Sequence, residues 1–181
     1  MIEDLRTVLL VEDDRDDEEL TIRGLERANV QNPVAVARDG QEAVDYLFGT
    51  DGQPPSPVPA VVVLDLQLPR LSGLEVLKRI RADDRTRRLP VVILTSSRED
   101  RDLINGYDHG ANSYVCKPIQ FDQFAAAVAQ LGVYWLIINE QPPPAEHALP
   151  PDCHGYKAFR QATRSGAGGG SRAPAALAPF A

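Results

Sequence analysis

Only two of the 181 residues are cysteine, Cys116 and Cys153. That excludes a disulfide framework, and no CxxC pair is present to hold a structural metal. Cys116 lies inside an apolar, strand-like stretch and is expected to be a small core residue. Cys153 stands next to His154 and six residues from His147, but three such groups in a proline-rich stretch make a weak zinc signal. No apolar run approaches the roughly 20 residues that a spanning helix needs. The N-terminal MIEDLRT is acidic and lacks the basic-then-apolar profile of a secretory signal, so a cytoplasmic location is the default expectation. Basic charge is scarce as well: the net charge is -7, and residues 141–181 hold four basic side chains against two acidic ones, which leaves residues 1–140 at -9. An acidic body argues against direct nucleic-acid binding.

With 43% hydrophobic and 25% charged residues, the composition is that of an ordinary globular protein with room for one sizeable domain. From Gln141 onward the sequence becomes PPPAEHALPPD and then SGAGGGSRAPAALAP, which is linker or tail chemistry. GAGGGS lacks the third glycine of GxGxxG and has no Walker lysine, so it is not read as a phosphate loop. Residues 1–140 are therefore expected to form the domain, and residues 141–181 a flexible Pro/Gly-rich tail.

Within the domain two periodicities alternate. TVLLV (7–11), VAVA (34–37), AVVVL (60–64), VVILT (91–95) and SYVCK (113–117) are strand-like. Helical spacing occupies about 16–28, 41–48, 72–82, 99–107 and the stretch from Phe121. Strands apolar on both faces imply a parallel sheet covered on both sides, joined by right-handed crossovers. The expected fold class is therefore α/β, a doubly wound five-stranded parallel sheet. SGLE (72–75) fits a helix-opening capping box, DGQ (39–41) a turn into a helix, and HGAN (109–112) a glycine stop. GTDGQPPSPVPA, before the third strand, is an exposed loop stiffened by four prolines.

Four of the five strands end in a polar group: Glu12 and Asp13, then Asp65, Thr95 and Lys117. Open parallel sheets place ligand sites at that edge, where the strand order reverses. In the order 2-1-3-4-5, strands one and three are neighbours, and three carboxylates converge. Such a cluster repels itself unless a cation neutralises it. Lys117 supplies one charge, and an all-oxygen donor set suits Mg2+ for the rest.

LLVEDD, LDLQLPRLSG, LTS and YVCKP resemble the four motifs of the receiver domain of two-component response regulators, with 30 residues from Asp65 to Thr95 and 22 from Thr95 to Lys117. The resemblance spans about residues 6–139 and implies the flavodoxin-like (βα)5 receiver fold. It implies that Asp65 is the phosphoryl acceptor, that Glu12, Asp13 and Asp65 with the backbone carbonyl of Gln67 hold Mg2+, and that Thr95 and Lys117 contact phosphoryl oxygens. It also implies a cis peptide before Pro118 and a switch in which Thr95 moves toward the phosphoryl group and Tyr114 follows. The face of helix four, strand five and helix five would change with them. Ser96, Ser97 and Gln67 would tune water access.

The last helix ends QLGVYWLIINE, apolar at six successive positions from Val133 to Ile138. A surface helix shows one apolar stripe. Trp135 with Leu136 or Ile137 is thus expected to form an exposed patch, and the patch to support a homodimer. LGVYWLIINEQPP, together with the long loop before strand three, resembles the small single-domain receivers associated with bacterial and cyanobacterial phytochromes. By that resemblance the partner is a phytochrome-type histidine kinase. The leading expectation is a phosphorylation-dependent signalling switch without turnover activity, at most phosphorylating and dephosphorylating itself. The rival is a Mg2+-dependent phosphohydrolase with an aspartyl nucleophile. Such enzymes want a second carboxylate two residues after the nucleophile, where this chain has Gln67.

Overall fold

The computed structural model describes residues 5–118 and 120–140. The tail expected over 141–181, with Cys153, His147 and His154, lies outside the described residues. Elements alternate as read from the sequence: β1 (Val8–Val11), α1 (Arg15–Arg27), β2 (Val34–Ala37), α2 (Gly40–Phe48), β3 (Val61–Leu64), α3 (Gly73–Ala82), β4 (Val91–Thr95), α4 (Asp100–Asp108), β5 (Ser113–Cys116) and α5 (Phe121–Gly132). All strand pairings are parallel, and the order is β2-β1-β3-β4-β5.

β1, β3 and β4 are buried along their whole length, which is why their sequences show no polar alternation. Leu9, Val11, Val62, Leu64 and Ile93 pack on one side against Val44 and Leu47 of α2 and Val76, Leu77 and Ile80 of α3. Val8, Leu10, Val63, Val92 and Leu94 pack on the other side against Leu25 of α1 and Phe124 and Val128 of α5. Each large aliphatic side chain buried this way contributes roughly 1.5–3 kcal/mol, so the central strands form a stiff support.

Turn chemistry sets the helices on that support. Asp14 caps α1, Asp39 caps α2, and Ser72 with Glu75 forms the expected capping box of α3. Gly110, at φ +85°, follows α4 as the expected glycine stop. The proline-rich loop is mostly exposed, carries a Thr50–Gln53 bridge, and is tied back by the Ser56 amide donating to the Tyr46 carbonyl at 2.9 Å. Gly73 lets the β3–α3 loop fold back on the strand end: a Cβ there would lie 2.1 Å from the Asp65 carbonyl oxygen.

Three expectations are corrected. The Lys117–Pro118 peptide is trans, and Lys117 reaches the cleft without a cis bond. Cys116 is exposed, because β5 is an edge strand, and its Sγ meets the Ser97 carbonyl at 3.4 Å. After α5 the chain continues as a π-helix, Val133–Ile138, in which the Asn139 amide donates to the Tyr134 carbonyl. Trp135 turns into the core, edge-on to Tyr134 at 5.1 Å between centroids, whereas Ile137 is exposed as expected, together with Tyr134 and Ile138.

Candidate functional site

Strand register builds the site. Val11 pairs with both Ala37 and Leu64, so the next residues, Glu12 and Asp65, leave neighbouring strands at the same edge. The backbone locks them there: the Glu12 amide donates to Ala37 and the Asp65 amide to Val11, each at 3.0 Å. From β5, the Lys117 amide donates to the Thr95 carbonyl at 2.7 Å and extends the ladder past the strand.

Lys117 is buried between these ends. Its Nζ donates to Glu12 Oε2 at 2.7 Å, to Asp65 Oδ2 at 2.7 Å and to Asp17 Oδ2 at 2.8 Å. An ammonium has three donors, and all three are used. Burial alone would lower its pKa, but the hydrogen bonds to Asp17, Asp65 and Glu12 outweigh that and hold it above the ordinary lysine value. Glu12 goes the other way. Its burial pushes the carboxyl up to about 7, and the Lys117 hydrogen bond offsets only part of that shift.

Glu12, Asp13 and Asp65 each offer a carboxylate oxygen within 4.8 Å of the others, with Asp13 exposed at the mouth. Four carboxylates, counting Asp17, face one ammonium. The residual negative charge and the all-oxygen donor set fit a hard divalent cation. Gln67 stands at the same loop: its amide donates to Asp65 Oδ1 at 3.1 Å, and its side-chain oxygen accepts from Ser96 Oγ at 3.3 Å.

Thr95, at the end of β4, is fully buried, and its Oγ1 accepts from the Ser97 amide at 3.4 Å. Ser97 Oγ in turn donates to Asp102 of α4 at 2.6 Å. The Tyr114 hydroxyl donates to the Ser97 carbonyl at 3.3 Å, and burial raises its pKa above the usual phenol. Thr95 and Tyr114 therefore meet at one residue of the β4–α4 loop, and that residue also holds α4.

The structure thus brings Glu12, Asp13, Asp65, Gln67 and Lys117 together, with Thr95 at the adjoining strand end. Asp17 escaped sequence reasoning because DDRDDEE reads as the acidic first turn of a helix. The spacing does not single it out, since Asp16, Asp17 and Glu18 all stand in the first turn after the N-cap Asp14 and only the contact with Lys117 selects Asp17.

Fold and site together define a class: a doubly wound α/β domain that gathers a carboxylate cluster, a hydroxyl and an ammonium at its topological switch point. Residues 8–129 match the family described as response regulator receiver domain. The chain belongs to that family, whose members are signalling proteins. The probable methanogenesis regulatory protein FilR2 of Methanothrix harundinacea is 41% identical over 143 residues, covering 79% of this chain and 92% of that protein. Response regulator Rcp1 of Synechocystis is 32% identical over 131 residues, covering 72% of this chain and 89% of that protein. The crystal structure of Mn(2+)-bound Rcp1 aligns over 76% of this chain and 99% of its own, with a TM-score of 0.72 and 31% identity. The bacteriophytochrome response regulator AtBRR is 50% identical, covers 76% of this chain and 99% of its own, and has a TM-score of 0.59. The phosphohydrolase alternative finds no support in the family or in the amide side chain at Gln67.

Proposed function

We propose that Asp65 accepts a phosphoryl group from a histidine kinase and that the chain stores it as a signal. The observation that supports this most is Asp65 itself, a buried carboxylate at the end of a rigid strand with Lys117 2.7 Å from one oxygen. A carboxylate oxygen of Asp65 attacks phosphorus, the P–N bond of the phosphohistidine breaks, and the imidazole leaves with the electron pair and takes up a proton. Lys117 offsets charge on the transferred oxygens. Glu12, Asp13, Asp65 and the Gln67 carbonyl would hold Mg2+, which supplies further charge neutralisation at the same oxygens. The Thr95 hydroxyl keeps its own proton free to donate to a phosphoryl oxygen, because its bond with Ser97 uses only an acceptor position. A shift of Thr95 would loosen Ser97, and with it the hold on Tyr114 and α4.

Glu12 makes cation binding pH-dependent. Its raised value stabilises the cation-free fold fully below the ordinary carboxylate range, and that contribution is lost as pH rises through about 7. Mg2+ needs the deprotonated form, so its affinity should fall about tenfold from pH 8 to pH 6. Calorimetric titration reads this directly, and a flat affinity over that window would contradict it.

The kinase is of the phytochrome type in this proposal, supported by the likeness to the bacteriophytochrome response regulator AtBRR and by the helix-five ending. Residues 1–140 act as the receiver domain and 141–181 as a tail, in the cytoplasm, without direct contact to nucleic acid. Among the described residues no helix is long and apolar enough to cross a membrane. Self-phosphorylation from small phosphodonors is the most activity expected. Tyr134, Ile137 and Ile138 form the apolar end through which two copies pair, with exposures of 50%, 63% and 65%. Sedimentation should show a dimer at tens of micromolar, and monomer alone, with and without phosphoryl group, would sink the pairing. The kinase assignment is tested by transfer of labelled phosphate from a phytochrome-type kinase to the chain.

A further inference from the structure

We propose that Asp17 is a positioning residue for Lys117, holding the ammonium beside Asp65 from the first turn of α1. The inference rests on Asp65 being the phosphoryl acceptor and extends it to a residue outside the strand-end cluster. Glu12 and Asp65 belong to β1 and β3 strand ends, whereas Asp17 comes from a helix and takes the third ammonium donor at 2.8 Å. Asp17 is itself fixed, since its amide donates to Asp14 Oδ1 at 3.1 Å within the N-cap of α1.

The arrangement has a consequence at the moment of phosphorylation. Lys117 must turn a donor toward a phosphoryl oxygen, and one oxygen of Asp65 becomes bonded to phosphorus. Glu12 is shared with the cation cluster. Asp17 lies outside that cluster, so its bond to the ammonium can persist through the exchange and keep Lys117 in place. It also joins α1 to the loop after β5, because the pair links residues 100 positions apart.

Two effects oppose each other when Asp17 is removed. A negative charge that repels the incoming anion disappears, and so does the anchor of the ammonium. The Asp17 side chain is 32% exposed, so its field at the phosphoryl position is screened, while the 2.8 Å contact with a 7% exposed Lys117 side chain is not. The anchor therefore dominates.

Beryllofluoride, a phosphoryl mimic, is titrated into the full chain at saturating Mg2+, with the Lys117 ammonium followed by 1H–15N NMR. Asp17→Ala should raise the half-saturating concentration about tenfold, the scale of one charge-assisted hydrogen bond, and should erase the ammonium signal. Asp17→Glu should restore most of the binding and the signal, which a merely structural role would not do. Asp17→Leu, which keeps the branching of aspartate without an acceptor, takes the place of the alanine variant if that variant does not fold. Unchanged or tighter binding in a folded Asp17→Ala chain overturns the positioning role, as does an equal loss in Asp17→Glu. If the unsubstituted chain does not bind beryllofluoride with Mg2+, the acceptor reading fails and this inference fails with it.

Discussion

Asp65→Asn is expected to abolish phosphoryl acceptance, lowering the rate of labelling by at least about a thousandfold, the scale on which removal of a nucleophile acts. The substitution keeps an oxygen for Lys117 Nζ, now 2.7 Å from Asp65 Oδ2, and removes one charge from a crowded acidic cleft. The variant should therefore fold normally. Its loss of labelling would then report chemistry, because an amide oxygen is too weak a nucleophile toward phosphorus. Labelling equal to that of the unsubstituted chain would move the acceptor elsewhere.

Lys117→Ala should be the second large effect, and it acts on two levels. The buried ammonium neutralises Glu12, Asp17 and Asp65 at once, so its removal leaves carboxylates facing one another. Stability in cation-free buffer at pH 8 should fall by roughly 3 kcal/mol, the low end for breaking a buried ion pair, because Glu12 can take up a proton. Lowering the pH or adding Mg2+ should return part of it. The phosphorylation rate from a small phosphodonor should fall about 100-fold at saturating Mg2+, as expected for loss of one preorganised charge. Urea unfolding and single-turnover labelling measure the two levels. A variant as stable as the parent at pH 8 without cation would contradict this charge balance.

The parts of the molecule that follow from apolar patterning were legible in the sequence. β1, β3 and β4 read as buried strands because both their faces are covered, and the polar residues that end them mark the sheet edge through the pattern alone. Register then converts that one-dimensional pattern into neighbourhood, since Glu12 and Asp65 each follow the paired residues Val11 and Leu64. What escaped depends on geometry that spacing does not encode. Asp17 joins the site only through its tertiary contact with Lys117, and acidic residues in a first helical turn are common for dipole reasons alone. Trp135 turns inward on the face of Phe124 and Val128, eleven and seven residues before it, a helical spacing that the unbroken apolar run from Val133 to Ile138 masks. Cys116 resembles a core residue in composition, yet its strand is at the sheet edge and its side chain is exposed.

The central claim is that Asp65 carries the phosphoryl group as a stored signal. Its most direct test is to phosphorylate the full chain with Mg2+ and a labelled histidine kinase, trap the acyl phosphate by reduction, and locate the modified residue by mass spectrometry. One modification per chain, at Asp65, and label that accumulates on the protein are the predicted results. Modification at another residue, or continuous release of phosphate with no label retained, would contradict it.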